Sequence, residues 1–153
     1  MIDIEVMEVY QRLVDEQRLR EAAQRVLNAE HVQGDVTILI TRDEEVAALN
    51  QQYLGKEGPT DVLSFPARDD THTFVLPPEE ETAYLGDIII AFPYTQRQAQ
   101  RLQRPLMDEL ILLVVHGMLH LLGYDHATPE EKAAMWTRQN EILAEMGVSP
   151  LEA

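Results

Sequence analysis

The sequence predicts an α+β fold: a small mixed β-sheet packed with helices, in one domain over residues 1–153. Three observations predict it. Short β-branched or apolar runs recur at residues 36–40 and 84–92. Stretches of helical periodicity separate them. One apolar stretch, residues 106–122, is too long for a strand, yet it carries Asp108, Glu109, His116 and His120. A chain of 153 residues is near the commonest domain size and can enclose one hydrophobic core.

Each element has its own signal. Residues 2–6 alternate apolar and acidic, as a half-exposed strand does. Tyr10, Leu13, Val14, Ala22, Ala23, Val26 and Leu27 recur at helical spacing and predict one helix over residues 7–27. The run 36–40 predicts a strand. Thr41 with Glu44 reads as a capping box, opening a helix that runs to Leu54 and ends near Gly55. Gly58-Pro59 marks a turn, and residues 61–65 a short strand. Residues 66–81, with Pro77, Pro78 and an acidic run, predict a long loop of the kind that often forms a functional rim. Ile88-Ile89-Ile90 makes residues 84–92 a central strand. Pro93 opens a polar helix to about Gln103, and Pro105 opens the next. The run 110–115 alone fits strand or helix, and its continuation through Leu122 favours helix. Thr128, Pro129 and Glu131 supply an N-cap, an N1 proline and a capping box for a last helix, which Gly147 ends.

Composition narrows the chemistry. With no cysteine there is no disulfide, thiolate metal site or cysteine nucleophile, which suits a reducing cytoplasm. The first residues carry no basic and apolar leader pattern. The charges inside residues 106–122 argue against a membrane span. The net charge is -15, from 27 acidic and 12 basic residues. Such a surface repels nucleic acid at long range unless positive charge is gathered locally.

The chemistry-bearing stretch is His116-Gly117-Met118-Leu119-His120-Leu121-Leu122-Gly123-Tyr124-Asp125-His126. Histidines four apart share one helical face. Gly123 can end the helix and turn the chain so that His126 returns to the same point. Three neutral imidazoles leave one tetrahedral position open, the pattern of a catalytic zinc ion. A lone histidine on an apolar helix is usually a core residue. Three of the chain's five histidines within this short stretch are not explained that way. His31 and His72 lack such company and read as surface residues. The spacing is zincin-like, matching H-E-x-x-H-x-x-G-x-x-H with Gly117 in the place of the glutamate base. Metal ligation survives that change, and the peptidase base does not. Ligand histidines must be neutral, so affinity for zinc is expected to fall below about pH 6.5.

This stretch resembles the YbeY family of bacterial metal-dependent endoribonucleases at each fixed position of that family's H-G-x-L-H-L-x-G-Y-D-H motif. Two further blocks agree: Leu49-Asn50, Tyr53, Gly55-Lys56 and Pro59-Thr60-Asp61-Val62-Leu63-Ser64-Phe65-Pro66, then Leu85-Gly86-Asp87-Ile88. The resemblance implies a cytoplasmic, single-strand-specific endoribonuclease. It implies work in 16S ribosomal RNA 3′-end maturation and ribosome quality control, with one Zn2+ on His116, His120 and His126. Ribosomal RNA or the small ribosomal subunit would be the partner, with no membrane involved. One position departs. Between the tyrosine and the glycine of the second block the family usually has an arginine regarded as important for activity, and this chain has Leu54.

Other candidates surround the motif. Asp125 could orient a ligand imidazole or serve the turn. Lys56, Arg97 and Arg101 are candidate phosphate-binding residues, with Arg68 and Arg104 as further possible sources of charge. Arg97, Arg101 and Arg104 would share a helical face, either as a phosphate stripe or as a solvated face. Asp87 reads as a strand-edge turn or a partner of the buried helix, Thr60-Asp61 as a turn, and Trp136 as packing. Two alternatives stand beside the ribonuclease: a zinc hydrolase of peptides or small molecules, and a catalytically weak, metal-containing, ribosome-associated domain.

Overall fold

Alternation of apolar and polar residues over a few positions produces strands here, and spacing of three to four produces helices. The computed structural model describes residues 1–67 and 83–149. Its strands are β1 (Ile2–Val6), β2 (Gly34–Thr41), β3 (Val62–Pro66) and β4 (Ala83–Ala91). Its helices are α1 (Glu16–Ala29), α2 (Asp43–Leu54), α3 (Phe92–Leu102), α4 (Leu106–Leu121) and α5 (Pro129–Glu145), with a short 3-10 helix at Glu8–Leu13. The sheet order is β1-β2-β4-β3. β1, β2 and β4 run parallel and β3 is antiparallel to β4, so the sheet is mixed and the fold is α+β, as the sequence predicts.

The sheet divides the core. α1 and α4 cover one face, where Ile38, Ile40, Ile88 and Ile90 meet Leu19, Val26, Leu110, Ile111, Val114 and Leu119, and α5 packs against these two helices. α2 covers part of the other, over Leu63, Ile89 and Ala91. Almost every residue of α4 from Glu109 to Leu119 is buried, which is why its sequence looks strand-like in a short window. Burying each such aliphatic side chain stabilises by roughly 1.5–3 kcal/mol. Gly86 has φ 142°, and a Cβ there would run into the carbonyl of Phe65 and the side chain of Leu121. That close approach lets β3 and the end of α4 meet across β4.

Several boundaries differ from expectation. The single helix over residues 7–27 is broken: Val14 is extended and buried, and Asp15 caps α1 by accepting from the Arg18 N–H at 3.3 Å. Thr41 does not cap α2. It stays in the ladder opposite Ala91, and α2 starts at Asp43 after Arg42, which makes no side-chain cap. Asp43, Glu44 and Glu45 still complement the dipole of the first turn. β3 runs one residue later than expected and takes in Pro66, and Phe92 belongs to α3. Most of the expected loop, with Arg68 and His72, lies outside the described residues. Thr128 does cap α5, accepting from Glu131 N–H at 3.1 Å, and Gly147 follows with φ 73°.

One buried polar chain ties these layers together. Glu109, 1% exposed on α4, accepts from Arg104 Nε at 3.1 Å and from Gln98 Nε2 at 3.3 Å. Gln98 also donates to Asp61 at 3.2 Å, and Asp61 accepts from the Val62 N–H at 2.8 Å. Asp61 is therefore held by bonds at the entry to β3, the structural role its turn-forming sequence suggested.

Candidate metal centre

The C-terminal end of α4 brings the three histidines together. His116 and His120 project one turn apart on the helix. The helix then closes with a pair of reversing bonds, from the Gly123 N–H to the His120 carbonyl at 3.1 Å and from the Tyr124 N–H to the Leu119 carbonyl at 3.0 Å. That is a Schellman ending, and it requires a positive φ at the residue just after the C-cap, where Gly123 has φ 105°. The chain doubles back and returns His126 to the two helical imidazoles. Ring centroids are 4.7 Å apart for His116–His120, 5.1 Å for His120–His126 and 5.8 Å for His116–His126. Their ligand nitrogens all lie within 4.8 Å of one another.

The surroundings suit a cation. Burial lowers the pKa of His116 from 6.5 to about 4, with the neighbouring His120 and His126 adding to the effect and the bond to Gln139 opposing it. His120 is lowered first by burial and then by His126. Neutral rings present lone pairs, which is the state a metal needs. Three imidazole nitrogens with an open side fit a tetrahedral ion that keeps one position for a non-protein ligand. The group can hold a metal ion.

Two of the rings have polar neighbours. The His120 ring lies beside the Tyr124 backbone, which opposes the lowering of its pKa by burial. His116 Nδ1 lies 2.9 Å from Oε1 of Gln139, a fully buried residue of α5. Trp136, one helical turn earlier, stands edge-on to His116 at 5.7 Å and to His126 at 5.9 Å between centroids. It packs, as expected, but directly on the ligand rings. Sequence reasoning missed Gln139, although a signal existed. Residues 135, 139, 142 and 143 form the buried stripe of α5, and 139 is the polar member of it.

The rings open onto a cleft of about 390 Å³. Its far side is built by Asn50 and Leu54 from α2, by Lys56, Thr60 and Asp61 from the following turn, and by Ser64 from β3. Lys56 is exposed and is the cation among the described lining residues. Asn50 is 4% exposed and donates to the Gly58 carbonyl at 2.9 Å, which shapes the turn. Gly117 faces away from this cleft: a Cβ there would meet Ile88 at 3.0 Å. Glycine therefore lets α4 lie close on the sheet, and a glutamate base could not be added without displacing Ile88.

The other predicted residues are placed elsewhere. Asp125 accepts from the His126 backbone N–H at 2.7 Å, the turn role rather than a hydrogen bond to an imidazole. Arg97, Arg101 and Arg104 do not form a stripe. Arg97 pairs with Asp43 at 2.8 Å, Arg104 turns inward to Glu109 beyond the end of α3, and Arg101 is exposed without an ion-pair partner among the described residues. Asp87 lies within β4, accepting from the Tyr84 hydroxyl, and is neither a turn nor a partner of α4. His31 is exposed, as expected.

A family model described as Endoribonuclease YbeY matches residues 5–147. An Endoribonuclease YbeY of Roseiflexus sp. (strain RS-1) is 45% identical over 97% of this chain and 94% of its own length. That of Shouchella clausii (strain KSM-K16) is 41% identical over 100% of both. Among solved structures, the solution structure of TM1509 from Thermotoga maritima matches with a TM-score of 0.59 and 27% identity, over 95% of this chain and 91% of that one. The match runs through nearly the whole chain, histidine stretch included, and so this chain belongs to the YbeY endoribonuclease family.

Proposed function

We propose that this chain, as one domain over residues 1–153, is a zinc-dependent, single-strand-specific endoribonuclease of the cytoplasm that acts in 16S ribosomal RNA 3′-end maturation and ribosome quality control. The observation that carries the reading is three clustered histidines, two of them partly buried, lining an open cleft in a chain of this family. His116, His120 and His126 would hold one zinc ion. When bound, such an ion acidifies water and stabilises charge developing on a phosphoryl oxygen.

The protein's own groups do the rest. Burial keeps His116 and His120 neutral for ligation. Lys56 supplies positive charge at the cleft, where an anionic strand has to enter an acidic protein. Arg97 and Arg101 lie outside the cleft lining, so any contact they make with RNA would be beyond the scissile region. Asp125 holds the turn that returns His126.

A second reading, a catalytically weak ribosome-associated domain, is favoured by one observation. Leu54, 51% exposed, lines the cleft at the position where a family arginine is expected. Leucine can make no charged clamp on a phosphate. The peptide-hydrolase alternative loses its support at Gly117, whose Cβ direction points into Ile88.

The test is incubation of zinc-loaded protein with single-stranded RNA and with casein, each with and without chelator, beside the His116→Ala variant. Cleavage of RNA that chelator and His116→Ala both abolish is the expected result. Intact RNA with pure zinc-loaded protein would move the reading to the weak domain, and casein cleavage to the peptidase.

A further inference from the structure

We propose that Gln139 is a positioning residue that sets the tautomer of His116, and so decides which of its ring nitrogens offers a lone pair to the cleft. Gln139 is on α5 and fully buried, and its Oε1 lies 2.9 Å from His116 Nδ1. A carbonyl oxygen only accepts, so Nδ1 must carry the proton and donate. The proton then leaves Nε2 bare, on the side of the ring away from α5. The opposite amide orientation would place an NH2 group against Nδ1 and force the proton onto Nε2, which removes the ring from ligation. One amide dipole thus selects between a competent and an incompetent imidazole.

Packing alone does not account for this glutamine. Its position belongs to the buried stripe of α5 with Met135, Ile142 and Leu143. Its Nε2 has no partner among the described residues. A buried unpaired amide nitrogen is destabilising, so an apolar side chain of this length would serve the core better. What Gln139 adds over leucine is the bond to His116. Trp136 limits the freedom of the pair, since its indole stands edge-on to the His116 ring. The bond runs between α5 and α4, so the docking of the last helix is also the device that orients the first ligand.

The consequence for metal rests on the zinc reading above, but the tautomer is a property of the metal-free chain and is tested there. In uniformly 15N-labelled metal-free protein, above the histidine pKa, long-range 15N–1H correlations should show His116 protonated on Nδ1. Gln139→Leu should release it to the Nε2-protonated form that free imidazole prefers. Gln139→Glu, whose carboxylate also accepts, should keep the Nδ1 proton. Cobalt(II) titration should follow: about 10–100-fold weaker binding for Gln139→Leu, the range for loss of a group that orients a ligand, and rescue by Gln139→Glu. An Nε2-protonated His116 in the unsubstituted protein overturns the proposal without any variant. Equal cobalt affinity for the unsubstituted protein and Gln139→Leu overturns it as well. If Gln139→Leu does not fold, Gln139→Met replaces it with an unbranched apolar chain and the same criteria. A protein with the Nδ1 proton in place that binds neither cobalt nor zinc supports the tautomer and sinks the metal reading instead.

Discussion

One wall of the cleft is the end of a helix buried on nearly all sides; the other is an exposed helix end, a turn and the start of an edge strand. The first places its groups by packing. α4 is fixed against α1, α5 and the sheet, and its last turn carries two imidazoles to a point that a Schellman ending completes with a third. The second places its groups by a few polar bonds, from Asn50 to Gly58 and from Gln98 to Asp61, and leaves Leu54 and Lys56 facing solvent. Metal ligands have to be held to fractions of an ångström, whereas a flexible polymer tolerates a softer surface. The difference teaches where changes in sequence are absorbed. Leu54 can replace an expected arginine on the soft wall without disturbing the fold, while nothing larger than glycine fits at residue 117 on the rigid one without moving Ile88.

The largest expected effect breaks the chain of polar groups that joins the walls. Arg104→Ala leaves Glu109 buried and uncompensated, and the global stability from urea unfolding should drop by about 3–5 kcal/mol. The exposed Arg97–Asp43 pair is the control, since Arg97→Ala should change stability by less than about 1 kcal/mol. Similar losses in both would mean that the interior network does not fix the cleft.

A pH series sharpens the contrast on the metal side. The folded His116 has its pKa near 4 against 6.5 for an unperturbed ring, so the unfolded chain takes up the proton first. Stability of the metal-free protein should be intact above pH 6.5 and fall between 6.5 and about 4, with His120 adding in the same direction. His116→Leu should flatten that slope, as read from urea midpoints against pH.

The smallest effect concerns the soft wall. Lys56→Ala should leave stability within about 0.5 kcal/mol. It should also reduce the slope of log affinity for single-stranded RNA against log salt by roughly 0.7, one phosphate's share. An unchanged slope would remove Lys56 from the binding surface.

Much of the rigid wall was legible in the sequence. His116, His120, Gly123 and His126 follow from helical spacing and a turn, both local properties of the chain. So do the capped start of α5 at Thr128 and the strands rich in isoleucine. What was not legible depends on contacts distant in sequence. The bond from Gln139 to His116 spans 23 residues, and the inward turn of Arg104 depends on Glu109 being buried by helices that packing brings together. The capping box expected at Thr41 failed because a ladder bond competed for that residue, and the long helix over residues 7–27 failed because Val14 was drawn into the core. The arginine stripe failed for the same kind of reason: α3 ends at Leu102, before its third member.

The central claim is that three imidazoles of this wall share one ion. X-ray absorption at the zinc edge of the zinc-loaded protein tests it most directly. The account predicts one zinc per chain with three imidazole nitrogens at about 2.0–2.1 Å and one further light-atom ligand. A shell of oxygens without imidazole scattering, or zinc that stays fully bound in His116→Ala, would contradict it.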